Sequence, residues 1–499
     1  MAQTNQVRAR SEPVDSSLLF LQAERNHRSY AVFTKKLDED TLITPRRADL
    51  SFWQHIKQLP NETINEHVQV YLDNVGLGLL AKLGKQRLDW SLVTAMIERW
   101  RPETHTFHLP IDGDVFSGIW YETNDSDWIP FVETYLGISR QAIGNGGILR
   151  GRILISVLIT KLNEEVGDTI ESHQQRARVY ILAMMGGILF SDANAYDVPL
   201  SFLHTIVDLS PANRISWGSA VLSHLYRNLC KAATNYEAKA INGSLLLVQQ
   251  WVYERIPSLA PILRTDVRKI PEDLPPNQIS LIPAPYGSRW HGKRTNKNTP
   301  AHFIWQPYDD ELFARLPEQC TADRPLWSYR GPIIFWATIE THLPDRVCRQ
   351  FGWGQPIPGV EYLLPTQTHH QLHKTNLSMK RSVDMSANAP QATYIAEWND
   401  RANRIFVGRD GGGVSRGYYD WYKARTVVHI TDPGTDEGTN TYPNWAGTTN
   451  VYEEGLWRMQ DMAFAQMQPN SQPNPQTFYD MPHNLLSYAH HQQPDAPFE

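Results

Sequence analysis

The sequence predicts a mainly α-helical, multi-helix fold with short irregular or β pieces and a disordered C-terminal tail. Three observations predict it. Several stretches place apolar residues three or four positions apart, the spacing of one helix face. Prolines such as Pro102 and Pro257 close those stretches. No Lys or Arg follows Arg458, and Gln, Pro, Asn and His dominate from Gln466 to Gln493. A segment of that composition buries too little apolar surface to offset its ordering entropy. The expected organisation is a polar segment over 1–44, a folded domain with an N-terminal helical extension over 45–425, and a low-complexity tail over 426–499.

The elements follow in order. After a run of helices joined by short turns, the stretch from Leu88 to Trp100 sets Leu92, Met96 and Trp100 at helical spacing. Arg176 to Phe190 is mostly apolar and predicts a helix buried all round, with Gly186-Gly187 where another helix approaches. Pro199 to Asp208 predicts a short helix. Ser216 to Ala232 carries the stripe Val221, Leu222, Leu225, Tyr226 and Leu229, with Ser216 or Ser219 as cap. Ser244 to Arg255 repeats the pattern. Trp327 to Ile339 is aromatic and apolar, helix or strand. Asp345 to Phe351 predicts a short helix before a Gly/Pro turn, and Ala392 to Phe406 and Tyr418 to Tyr422 are further helical pieces.

The chain has 499 residues, of which 47 are basic and 53 acidic, a formal net charge of −6. That balance lacks the broad basic surface of a strong nucleic-acid binder. Hydrophobic residues make up 41% and charged residues 20%, an ordinary globular composition that excludes a wholly disordered chain. Cys230, Cys320 and Cys348 are far apart and form no CxxC pair, so reduced thiols are expected. The polar N-terminus has no apolar signal region, and the longest uncharged apolar run, Ile181 to Phe190, is about half of what a membrane helix needs. A soluble intracellular protein with no membrane partner is expected.

Motifs for chemistry are sparse. Gly78 to Lys85 and Gly287 to Lys293 miss the phosphate-loop pattern in spacing or hydroxyl residue, and read as ordinary loops. Gly408 to Gly413 reads as a flexible turn rather than an anion cradle. His369, His370 and His373 form a histidine cluster, but with no third close ligand they read as a solvated face, and no metal or other cofactor is expected. Glu340, His342 and Asp345 bring two acids and an imidazole into six residues, enough for acid–base work in principle. No nucleophile accompanies them, and a salt-bridged helix start after Pro344 is the preferred reading. The basic stretch holding Arg289, Lys293, Arg294 and Lys297 is the best nucleic-acid candidate.

At Trp100-Arg-Pro-Glu-Thr-His-Thr-Phe-His-Leu-Pro110 the sequence becomes specific. It resembles the plant mobile domain, found in MAINTENANCE OF MERISTEMS-like proteins and in long-form homologues of protein phosphatase seven. Further matching stretches follow in the family's order: Asp127-Trp128 with Leu136-Gly137, Arg178 to Asp192, Ser216 to Ala220 with Leu225 to Cys230, Leu246 to Pro257, Pro344 to Gly352, Tyr394 to Trp398, and Tyr418 to Tyr422. One element departs from the pattern. Pro110 runs straight into Ile111-Asp112-Gly113-Asp114, where relatives carry a Gly-Glu-x-Thr-x-Thr-Leu-x-Asp-Val stretch and a Leu-Gly-Leu-Pro turn.

The resemblance implies a non-enzymatic nuclear protein acting by protein–protein interaction in meristem maintenance, transposon silencing and genome stability. It implies a phosphatase-like nuclear partner of the long-form phosphatase seven type, with chromatin or DNA as a further partner. The chain carries no GDxHG or GNHE metallophosphatase signature, so phosphatase activity is not implied. The alternative is a transposable-element-encoded protein that binds or processes nucleic acid.

Overall fold

In the computed structural model the described residues are 27–38, 41–44, 47, 49–101, 106–107, 128–192, 196–211, 215–261, 290, 303–315, 321, 324–335, 338–357, 389–411, 413–418 and 421. The tail expected over 426–499, the junction at Pro110 and the His369–His373 cluster lie outside them. The described elements are mainly α-helical, with a few short strands in small antiparallel sheets.

One apolar cluster is built around a single helix. α9 (Ile170–Met184) buries nine consecutive residues, Arg176 to Met184, as a mostly apolar run demands. Around it pack α2 (Asp49–Gln58), α3 (Glu66–Asn74), α6 (Trp128–Leu136) and α8 (Ile155–Leu162). The two arginines on this buried helix end two other helices. Arg176 donates to the carbonyls of Glu164 at 3.0 Å and Glu165 at 3.3 Å, beyond the end of α8. Arg178 donates to the carbonyls of Ile206 at 3.0 Å and Val207 at 2.6 Å, at the end of a 3₁₀ helix over Leu200–Ile206. Helix C-termini expose carbonyls with no intrahelical partner, and a guanidinium satisfies several at once while opposing the negative end of the dipole.

Past Met184 the helix widens into a π-helical turn, Met185–Leu189. The close approach expected at Gly186-Gly187 is present, but the approaching element is a strand. A Cβ on Gly186 would stand 2.6 Å from Cβ of Val198, which lies in β5 (Asp197–Pro199). β5 pairs with β4 (Arg152–Leu154), which pairs in turn with β3 (Ile148–Leu149). The short helix expected from Pro199 forms as the 3₁₀ helix just named.

A second group of elements centres on α10 (Trp217–Ala233), whose predicted stripe is buried, with Leu225 at 2% and Leu229 at 1% exposure. Ser216 stands at its N-cap position but bonds Oγ of Ser219 rather than a backbone amide. Against α10 pack α5 (Trp90–Arg99), capped by Asp89 onto the Leu92 amide, and β1 (Trp100–Arg101), paired with β2 (Thr106–Phe107). α11 (Leu245–Arg255) packs on α5, where Gln249 bonds the backbone of Arg87 and Asp89. Within the stretch from Trp327 to Ile339 the described residues 331–335 and 338–339 are strand. β6 (Gly331–Phe335) and β7 (Thr338–His342) form a hairpin that lies on α10. The two clusters meet where Phe190 stacks on Phe335 at 4.6 Å, with His224 of α10 4.7 Å from the Phe335 ring.

Residues 27–44 enter the fold despite their polarity. α1 (Arg28–Phe33) inserts a fully buried Arg28, whose Nε donates to Glu98 at 3.0 Å. His27 donates from Nε2 to the Trp100 carbonyl at 2.9 Å, and Ile43 is wholly buried. Four further α-helices complete the described α-helices: α4 (Gly78–Ala81), α7 (Arg140–Ile143), α12 (Asp310–Arg315) and α13 (Ala389–Asn399). α4 occupies the first near-miss to a phosphate loop. Arg409-Asp410 of the glycine-rich stretch pair as β9 with β8 (Trp353–Gly354). No described helix is long and apolar enough to cross a membrane.

Candidate functional site

The Glu340–His342–Asp345 grouping is buried rather than solvent-facing. Glu340, on β7, is 1% exposed and accepts from Nε of Arg227 on α10, whose Nη2 also donates to the Ile339 carbonyl at 3.1 Å. His342 donates from Nε2 to the Trp327 carbonyl at 3.2 Å. Asp345 opens a 3₁₀ turn, Pro344–Arg346, as the preferred sequence reading places it, and lies between Arg330 at 3.4 Å and Arg346 at 3.5 Å. Charges this deep are stable only when paired, and here each carboxylate meets a guanidinium.

The rest of Pro344–Gly352 ties separate elements together. Gln355 uses its amide on both ends of this loop, accepting from the Cys348 amide at 2.9 Å and donating to the Asp345 carbonyl at 2.9 Å. The Arg349 guanidinium lies 4.0 Å over the Trp305 ring. Gln350 accepts from Nε of Arg255 on α11 at 3.1 Å. Phe351 stacks on Trp353 at 5.2 Å, and Gly352 ends the turn at φ 80°, a region open to glycine. What reads in sequence as a possible acid–base centre is a knot joining α10, α11, the β6–β7 hairpin and the Trp305 segment.

A distinct cleft, lined by apolar side chains and a few charged ones, opens beside the π-helical turn. Its cavity volume is about 40 Å³. Arg47 forks onto both oxygens of Asp49, with Nε 2.6 Å from Oδ1, and donates to the Gln86 carbonyl at 2.9 Å. Trp53 Nε1 holds Asp49 Oδ2 at 2.9 Å. Ser191 and Gly243, also lining the cleft, exchange two hydrogen bonds, Oγ to carbonyl at 2.7 Å and amide to carbonyl at 2.8 Å. Asp192, also lining the cleft, pairs with Arg152 at 3.2 Å, while Asp197 holds the same guanidinium at 2.5 Å. Leu88, Trp90, Ile188 and Leu246 supply apolar walls. The sequence carried no signal for this cleft, because it is assembled from separate stretches that are each unremarkable.

Desolvation lowers the pKa of three histidines, the buried His55 and the half-buried His204 and His224. Burial lowers His55, which sits 2.7 Å from Asn163 Oδ1 and 2.8 Å from the Tyr180 hydroxyl. Burial lowers His204, whose ring packs 4.8 Å from Phe131 and 5.3 Å from Trp128. Burial, with Lys231 as a smaller cause, brings His224 down to about 3.

Arg289, Lys293, Arg294 and Lys297 lie outside the described residues. Trp290 among them is described: it is 6% exposed, donates from Nε1 to Glu254 of α11 at 2.5 Å, and sits 5.9 Å from the Tyr253 ring. Among the described residues no group of three His, Cys, Asp or Glu side chains is placed to hold a metal ion.

Comparison with known proteins follows the same lines. The chain is 30% identical to a Serine/threonine-protein phosphatase 7 long form homolog of Arabidopsis thaliana over 84% of its own length, but spans only 32% of that protein. It is 28% identical to Protein MAIN-LIKE 1 of the same plant, covering 84% of this chain and 80% of that one. To Protein MAINTENANCE OF MERISTEMS it is 24% identical, covering 72% of this chain and 74% of the relative. No solved structure matches. The plant mobile domain matches residues 132–423, a range that holds α9, α10, the β6–β7 hairpin and the Pro344–Gly352 knot, and the chain belongs to the plant mobile domain family.

Proposed function

We propose that this chain is a non-enzymatic nuclear protein that works through protein–protein contacts in meristem maintenance, transposon silencing and genome stability. The observation that carries the reading is the match to MAIN-LIKE 1, which covers 84% of this chain and 80% of that protein. The match to the phosphatase 7 long form homolog reaches only about a third of that larger protein. A phosphatase-like nuclear protein of that type is the proposed partner, with chromatin as a further one. The interior chemistry supports the same reading. The carboxylates grouped around His342 are engaged with arginines of the fold, where they add cohesion rather than meet a substrate.

The test is affinity purification of the tagged chain from plant nuclei, followed by mass spectrometry. Recovery of a phosphatase-like protein together with chromatin factors is the expected result. A tagged chain that stays out of nuclei, or one that recovers neither class, overturns the proposal.

A further inference from the structure

We infer that Asn145 is a modification site: its side-chain amide is lost by reaction with the backbone nitrogen of Gly146, leaving an isoaspartyl or aspartyl residue in the turn between α7 and β3. The reaction needs neither partner nor cofactor, only water, and so goes beyond the interaction reading above.

The sequence holds two Asn-Gly pairs, Asn145-Gly146 and Asn242-Gly243. The chemistry asks the same of both. The nitrogen after the asparagine must reach Cγ, and glycine there removes the Cβ that would crowd the approach. A nitrogen held in a hydrogen bond is withheld from that attack. The structure treats the two pairs oppositely. Gly243 donates its amide to the Ser191 carbonyl at 2.8 Å and accepts at its own carbonyl from Ser191 Oγ at 2.7 Å. Asn145 and Gly146 are exposed, and among the described residues neither forms a hydrogen bond.

The turn is tied on either side of them instead. The Gly144 amide donates to the Arg140 carbonyl at 3.1 Å, closing α7, and the Gly147 carbonyl accepts from the Leu154 amide at 2.9 Å. Only Asn145 and Gly146 hang between these anchors. Gly146 sits at φ 95°, with glycine also at 144 and 147, so the backbone reaches the ring-forming geometry at low steric cost.

The steps balance without an oxidant or reductant. Hydroxide takes the proton of the Gly146 amide, and that nitrogen attacks Asn145 Cγ. The new N–Cγ bond forms as the Cγ–Nδ2 bond breaks, and the departing nitrogen takes protons from water and leaves as ammonia. The cyclic imide then adds one water. Opening at Cγ gives aspartate; opening at the main-chain carbonyl of Asn145 gives isoaspartate, whose chain runs on through Cβ and Cγ. The isoaspartyl form adds an extra backbone atom to a turn that closes tightly: a Cβ on Gly147 would stand 2.1 Å from the Ile143 carbonyl. Gly147, the acceptor for Leu154, must then shift, so the modification acts on the joint between α7 and the β3–β4 pair.

The test follows the purified full chain during incubation in mildly alkaline buffer. Tryptic segments 141–150 and 240–255 are quantified by liquid chromatography and mass spectrometry, with a zero-time digest as baseline. Segment 141–150 should convert at least about tenfold faster than segment 240–255, the scale set by breaking the two hydrogen bonds that hold Gly243. It should give two products of equal mass, with the isoaspartyl form in excess. In guanidinium the two segments should convert at comparable rates, because the fold alone separates them. Asn145→Gln should stop the change in 141–150 and leave 240–255 as in the parent. Equal rates in the folded chain overturn the inference, as does a segment 141–150 that stays intact when folded and converts in guanidinium. Aspartate as sole product overturns it too, since direct hydrolysis would not involve the Gly146 nitrogen. The rates come from the parent chain itself, so the outcome stands even where the variant folds poorly.

Discussion

Replacing Glu340 with leucine should cost about 3–5 kcal/mol, because it strands the Arg227 guanidinium inside the protein. The side chains of the pair are 7% and 1% exposed, so water cannot take over the role of the carboxylate. Arg227 would keep only the Ile339 carbonyl at 3.1 Å. Two unit charges about 4 Å apart at an effective dielectric near 20 attract by about 4 kcal/mol, which agrees with the range for breaking a buried pair. Set against a total stability of about 5–15 kcal/mol, that is a large loss. Arg227→Met should cost a similar amount by leaving Glu340 without its guanidinium. The double variant removes both charges and both desolvation penalties, and should lie within about 2 kcal/mol of the parent. The coupling energy of the cycle is then at least about 4 kcal/mol. Urea unfolding of all four chains, followed in parallel by tryptophan fluorescence and far-UV circular dichroism, measures it, with coincident curves licensing the two-state treatment. Single costs that simply add in the double variant would refute the reasoning, since they would mean that neither charge depends on the other.

Leu225→Ala should destabilise by about 2–5 kcal/mol, because the side chain is 2% exposed in the α10 stripe; an unchanged denaturation midpoint would contradict its place in the core. Gly186→Ala should cost about 1–3 kcal/mol, as the new Cβ would press on Val198 at 2.6 Å, and Gly186→Ala with Val198→Ala should recover part of the loss in the same assay. Stability should also fall on acidification. The folded-state pKa of His55, His204 and His224 lies below the ordinary histidine value, so the unfolded chain binds protons first as pH drops through about 6.5. For His224, down at about 3, the loss between pH 7 and pH 4.5 is about 2–3 kcal/mol, and His224→Leu should flatten the pH profile of the urea midpoint by that amount.

Sequence periodicity reveals elements whose burial follows their own pattern. α5, α10 and α11 were legible because their apolar residues recur at helical spacing and a cap or a proline marks an end. Strands of two or three residues carry no period of their own, so β3, β4 and β5 are set by their mutual pairing and by the approach of Val198 to Gly186. Trp327 to Ile339 stayed ambiguous for the same reason: an apolar run without strict alternation fits either state until a partner strand is known. α1 was invisible because it is held by Arg28 and Glu98, 70 positions apart, rather than by an apolar stripe. The grouping of Glu340, His342 and Asp345 was visible as spacing, and its preferred structural reading followed from the missing nucleophile. That Glu340 answers Arg227, 113 positions away, was not visible.

The two charged centres separate what a substitution can do in the cell. Glu340 and Arg227 are enclosed between α10 and the hairpin, so changes there act on the folded population. A loss of about 3–5 kcal/mol from a marginal protein raises the unfolded fraction by more than a hundredfold and lowers abundance through chaperones and proteases. Asp192, 29% exposed, faces a cleft, and its partner Arg152 retains Asp197 when Asp192 is neutralised. Exposed pairs contribute about 0–1 kcal/mol, so Asp192→Asn should leave abundance near the parent level. Quantitative blotting of each variant tests the division. Equal abundance of Glu340→Leu and the parent would show that the α10–hairpin lock does not govern stability. A fall in the abundance of Asp192→Asn as large as that of Glu340→Leu would show that exposure does not separate the two centres.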